Sequence, residues 1–136
     1  MEELVIGEEG SFSKTITEVD IAVFAAITGD FNPMHMNESY ARTTRFGKKI
    51  AHGGVAAGLV SPILGMQMPG VGTVPLEFKY KFLAPVYPGD TITCLGRLTE
   101  KDVKQNTVTV HFTFSNQEDK LVMECWAKAM PPRRAS

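Results

Sequence analysis

Gly29-Asp30-Phe31-Asn32-Pro33-Met34-His35 sets a carboxylate and an imidazole on either side of a bend. Asn32 before Pro33 predicts a turn, or a short helix capped by Asn32 with proline at its first position. Two such groups on one bend can share work on a water molecule, one taking a proton and the other carrying a proton onward. A third requirement of such chemistry is a donor for the negative charge that develops on a substrate oxygen. Ala51-His52-Gly53-Gly54 stands just before an uncharged, apolar stretch. If that stretch is helical, free amides and the positive end of the dipole lie at Gly53, and glycine allows a carbonyl to approach the backbone closely.

Each residue also has a plainer role. Asp30 after Gly29 is placed to satisfy backbone amides in an Asx turn. His35 by itself reads as a structural, hydrogen-bonding histidine, and Gly53 as the small residue that opens a tightly packed helix. Asn32 is read as a scaffold for the turn at the edge of the substrate site, and His52 as a support for the helix entrance. His111 falls among the polar positions of a strand, so it reads as solvent-facing or at an interface.

The elements that must position these residues follow from pattern. Thr17 and Asp20 form a capping signal ahead of Ile21, Phe24, Ala25 and Thr28 at helical spacing, and Gly29 is the stop. A second short helix is predicted from Glu38 to about Thr44. Residues 53–67 carry no charge and many small side chains, the mark of a buried helix, although Pro62 should kink or end a regular turn within it. After Gly70 the period changes to two. Val74, Leu76, Phe78, Tyr80 and Phe82 alternate with polar residues and predict a strand with one covered face. Further strands are predicted near Thr91 to Glu100, around Val108 to Phe114, and from Leu121 to Met130 with Leu121, Met123, Cys125 and Ala127 on one face. A small extra strand is expected around Ser11 to Ile16. Trp126 lies on the polar side of the last strand, as at a covered edge or a subunit contact. Short polar links argue for antiparallel neighbours, so the fold class is α+β, one long helix against an antiparallel sheet.

Length and composition narrow the possibilities further. The chain has 136 residues, enough for one core and too few for two, so a single domain over 1–136 is expected, with 131–136 as a tail. Fourteen Lys and Arg against 15 Asp and Glu, without a basic cluster, exclude the usual footprint of a nucleic-acid partner. No stretch is long and apolar enough to span a membrane, and Met1-Glu2-Glu3-Leu4 does not begin a signal peptide. Cys94 and Cys125 lie in alternating apolar segments and read as buried thiols of a reducing compartment, so the chain reads as cytoplasmic. The cysteines and histidines show no metal-ligand spacing, so neither metal nor other cofactor is expected.

The motif Gly-Asp-x-Asn-Pro-hydrophobic-His resembles that of the MaoC-like dehydratases, the group of (R)-specific enoyl-CoA hydratases. Phe24-Ala25, Thr44-x-Phe46-Gly47, Ile50-x-His52-Gly53, Leu64-Gly65 and Met68-Pro69-Gly70-x-Gly72 extend the likeness over most of the chain. The resemblance implies a hot-dog fold, a homodimer with sheets joined edge to edge, and a substrate that is an acyl-CoA or acyl-carrier-protein thioester. It implies that Asp30 and His35 hold one water between them, Asp30 as base and His35 passing a proton toward the α carbon. It places Ser61 in the lining of the site beside Gly53.

Two other functions fit the same fold. A hot-dog thioesterase would use a carboxylate-activated water on the carbonyl, but such enzymes place an acid on or near the central helix, and residues 53–67 contain no Asp or Glu. A non-catalytic acyl-thioester-binding protein would have no need of both Asp30 and His35. Met66, Met68, Leu76 and Phe78 are expected to close the acyl tunnel. Lys48, Lys49, Arg133 and Arg134 are solvated charges that could meet the phosphates of CoA.

Overall fold

The structure is a computed structural model, and it describes residues 1–133. Arg134 and the end of the expected tail lie outside the described residues. Strand β1 (Glu9–Thr15) leads into α1 (Glu18–Thr28), followed by the single turns α2 (Pro33–Met36) and α3 (Glu38–Ala41). The uncharged segment forms α4 (Gly53–Ala57), α5 (Val60–Pro62) and a π-helical turn at Ile63–Gln67. Strands β2 (Val74–Phe82), β3 (Thr91–Asp102), β4 (Thr107–Ser115) and β5 (Leu121–Met130) complete the chain. All five strands form one antiparallel sheet in the order β1-β3-β4-β5-β2.

The capping residues behave as their chemistry requires. Thr17 accepts from the Asp20 amide at 3.1 Å while the Asp20 carboxylate accepts from the Thr17 amide at 2.8 Å, a reciprocal capping box. Lys14 reaches the same carboxylate at 2.8 Å and holds it below its ordinary range. Gly29 ends α1 in the left-handed conformation, φ 82°, which spares the strain a side chain would meet there.

The expected single long helix is instead broken. Proline has no amide to donate, so Gly58 O is met by the Ser61 amide at 3.0 Å in a tighter turn. Beyond Pro62 the ladder widens, with the Met68 amide donating to Ile63 O five residues back at 2.7 Å. The second short helix is likewise shorter than expected and stops at Ala41.

Ile92, Cys94 and Leu98 of β3, Val110, Phe112 and Phe114 of β4, and Cys125, Ala127 and Ala129 of β5 point inward. They pack on Ala56, Val60, Ile63 and Leu64 in one continuous core. Gly96 faces Phe112 in the register, and any Cβ there would come within 2.7 Å of the Phe112 ring. Both cysteines are free and buried, and burial pushes the Cys125 thiol up to about 11 and Cys94 higher still.

The sheet has three register shifts, one of them between Leu98 and Glu100 of β3, and the other two alter the expected alternation. In β2 the register slips between Pro75 and Glu77, so Pro75 rather than Leu76 stands opposite buried Ala129. In β5 the slip beside Ser115 makes Val122 buried and turns Leu121 outward. The carbonyl of Val122 is then free to accept from Leu83 and Ala84, at 2.9 and 3.2 Å, which turns the chain away after β2.

Candidate active site

The bend after α1 is built from short-range hydrogen bonds. The Asp30 carboxylate accepts from the Asn32 amide at 3.1 Å, and Asn32 Oδ1 accepts from the Met34 amide at 3.0 Å. Pro33 follows at the first helical position, where a missing N–H costs nothing. One turn later His35 donates from Nδ1 to Ile50 O at 2.7 Å, because a carbonyl can only accept. That bond orients the ring and leaves the lone pair on Nε2.

His52 completes the cluster. Its Nε2 lies 2.9 Å from Asp30 O, and its ring stands 4.0 Å from the His35 ring and 4.7 Å from Phe24, centroid to centroid. One ligating atom from each of Asp30, His35 and His52 lies within 4.8 Å of the others. His35 and His52 are 7% and 3% exposed, whereas Asp30 is open to solvent. The site is therefore an exposed carboxylate against a buried imidazole pair. The expectation from spacing overlooked that folding gathers these three into a set of ligand types that metals also use.

A cavity of about 530 Å³ opens beside His35 and Gly53. Arg45, Phe46, Phe82, Leu83, Val86 and Met123 are among the residues that line it. Apart from His35 and Arg45 its walls are apolar, which suits an acyl chain. Gly53 occupies the first position of α4, where amides have no intrahelical partner. The space a Gly53 side chain would take is filled by the Phe82 ring, 2.5 Å from the Cβ position.

His35 and Gly53 both border the cavity, and Asp30 clusters with His35 and His52; Asp30 and Asn32 are not among the residues that line the cavity, and Asn32 holds the turn between Asp30 and His35. Ser61 is exposed and is absent from the cavity lining. Met66, Met68, Leu76 and Phe78 do not line it either; Met68 is buried in the core and Met66 is open. Lys49 pairs with Glu18 at 2.9 Å, and Lys48 lies over the Tyr87 ring. His111 bonds Glu124 at 2.8 Å on the outer face of the sheet, beside half-buried Trp126. Phe82 and Arg45 went unmarked in the sequence because their strand and loop patterns carry no sign of a cavity. His52 was assigned only to the helix entrance, although its place directly before Gly53 was the available signal.

Residues 4–120 match the family described as MaoC like domain. The chain is 41% identical over 133 residues to the (R)-specific enoyl-CoA hydratase of Rhodospirillum rubrum, covering 98% of this chain and 92% of that one. It is 44% identical over 133 residues to the 3-hydroxybutyryl-CoA dehydratase of Methylorubrum extorquens, covering 98% and 84%. Among solved structures, the (R)-hydratase from A. caviae involved in PHA biosynthesis has a TM-score of 0.93 at 32% identity, covering 97% of this chain and all of that one.

Proposed function

The chain belongs to the MaoC-like domain family, and from that premise we propose how its residues carry out (R)-specific hydration of a trans-2-enoyl thioester. It is a hydro-lyase of hot-dog fold that interconverts the enoyl thioester and the (R)-3-hydroxyacyl thioester. The observation that supports the mechanism is that His35 belongs to two groupings at once, the cluster with the Asp30 carboxylate and the wall of an apolar cavity that the first residue of α4, Gly53, also lines.

In the forward direction a water sits between Asp30 and His35. As its oxygen bonds to the β carbon, one O–H bond breaks and the proton passes to the Asp30 carboxylate. The electron pair of the double bond moves through the α carbon to the thioester oxygen, where the Gly53 N–H receives it. His35 Nε2 takes that proton from Asp30 and passes it to the α carbon as the electron pair returns from the thioester oxygen, so both groups end as they began. Water and proton arrive on the same face of the double bond, and the face turned toward the water sets the (R) configuration at the β carbon. Donors of the Gly53 kind are worth about 2.7–4 kcal/mol of transition-state stabilisation where one has been removed from an enzyme. Asn32 has a smaller role, through the turn it holds, and Ser61, exposed and outside the cavity, takes none within it. A carboxylate and an imidazole suffice for these proton transfers without a metal, so dialysis against a chelator is expected to leave the rate unchanged.

The thioester carrier is coenzyme A or an acyl-carrier protein, and Arg45 is the cation nearest the cavity on either choice. The two free cysteines suit a reducing, cytoplasmic setting. The working form is a homodimer joined through β2. The edge of β1 is occupied, since Gln67 accepts from the Ser11 amide at 2.9 Å and donates to Ser11 O at 2.8 Å. Among the described residues no strand lies beside the outer edge of β2, which exposes Leu76, Phe78 and Phe82.

The test mixes the purified protein with crotonyl-CoA and follows the conjugated enoyl-thioester absorbance and free thiol together. Hydration predicts loss of absorbance with no thiol. Thiol release would make the protein a thioesterase, and silence in both channels would turn attention to a carrier-protein thioester or to binding without turnover.

A further inference from the structure

His52 touches both members of the catalytic pair, and its contacts do not serve the helix it precedes. It holds the N-cap position of α4, where a side chain ordinarily accepts from an amide of the first turn, but it makes no such bond. The ring is turned toward the bend instead, with Nε2 2.9 Å from Asp30 O and its centroid 4.0 Å from that of His35. Since a carbonyl only accepts, Nε2 carries the proton and Nδ1 the lone pair. Nδ1 is buried and finds no hydrogen-bond partner among the described residues. A residue kept for packing alone would not leave a polar atom unsatisfied at 3% exposure, because a phenylalanine could fill the slot between Phe24 and His35 without that penalty. The one contact here that needs a nitrogen donor is the bond to Asp30.

We propose that His52 is a positioning residue for the hydration. Its Nε2–H anchors the backbone of Asp30, its ring sets the plane of His35, and its own carbonyl carbon is bonded to the Gly53 nitrogen. A single residue thereby fixes the spacing of base, proton carrier and oxyanion donor. This rests on the roles given to Asp30, His35 and Gly53 above. Asp30 needs such an anchor because it is exposed and follows a left-handed glycine, and its carboxylate is otherwise held by the Asn32 amide. Displacing a reacting group by 1 Å costs on the order of a hundredfold in rate.

Three substitutions separate anchoring from space-filling. Glutamine can place an amide N–H where Nε2 stands, asparagine is too short to do so, and phenylalanine keeps the ring without a donor. In the folded protein, His52→Phe and His52→Asn are expected to lower kcat on crotonyl-CoA about a hundredfold with KM within about threefold, and His52→Gln to restore at least about tenfold of it. Amide exchange across residues 29–37, read without substrate, is expected to quicken in the first two variants and to return toward wild type in His52→Gln. A folded His52→Phe with wild-type kcat and exchange would overturn the proposal, as would equal values for His52→Gln and His52→Asn. Should His52→Phe fail to fold, the Gln and Asn pair decides alone. A wild-type protein inert toward crotonyl-CoA would count against the hydratase reading with this substrate, and the exchange comparison would then decide the role of His52.

Discussion

Along β3 and β4 the inward side chains are sealed: Ile92, Leu98, Val110 and Phe112 are all at 0% exposure. On β2, Phe78 and Phe82 stand in the same inward rows, opposite Ala127 and Met123, yet they are 43% and 59% exposed. Both regions have the same alternating sequence pattern, so the pattern does not distinguish them. The difference is coverage. The central strands lie under α4, α5 and the π turn, whereas β2 runs past them at the rim, where Phe82 borders the cavity and covers Gly53. Stability is concentrated in the centre, whereas the rim keeps groups open to bind something else, and it is there that the proposal puts chemistry and association.

Three changes probe that division. Phe112→Ala empties the middle of the core and should lower unfolding stability by about 3–5 kcal/mol in urea titration, with the remaining folded protein retaining its turnover. A loss below about 1 kcal/mol would mean that the centre is not where stability resides. Phe78→Lys at the rim should leave monomer stability nearly unchanged but weaken self-association by about 2 kcal/mol, roughly thirtyfold in dissociation constant by sedimentation velocity. An unaltered dimer would move the interface away from β2. Thr17→Ala removes one half of the capping box and should cost about 1 kcal/mol of thermal stability with no change in KM. The carboxylate half is pH-sensitive: Asp20 is held below its ordinary range by Lys14, so its contribution is present above that range and fades as pH falls through it.

What the sequence disclosed depended on whether the governing interaction was local. Thr17, Gly29 and the Asn32-Pro33 pair act within four residues of themselves, and the structure places each cap where the residue types require it. The strands were legible from period two, but the three register shifts were hidden, because a bulge depends on the partner strand and no single segment advertises it. The break at Pro62 was announced by the missing amide; the π turn that follows was not, since it depends on which carbonyls the core leaves available. At the site, the Asp30 and His35 pair was visible as a motif. The inward turn of His52, the wall made by Phe82 and the exposed place of Ser61 all depend on contacts between distant segments.

The central claim is that the Asp30 carboxylate activates the water added to the double bond. Asp30→Asn keeps the shape of the side chain and its oxygen facing the Asn32 amide, but removes the base. Measured beside wild type on crotonyl-CoA, with melting temperature as a control for folding, it should melt within about 2 °C of wild type and lose about a hundred- to ten-thousandfold in kcat. An Asp30→Asn protein that folds normally and hydrates crotonyl-CoA at the wild-type rate would contradict the account and leave Asp30 as a turn residue only.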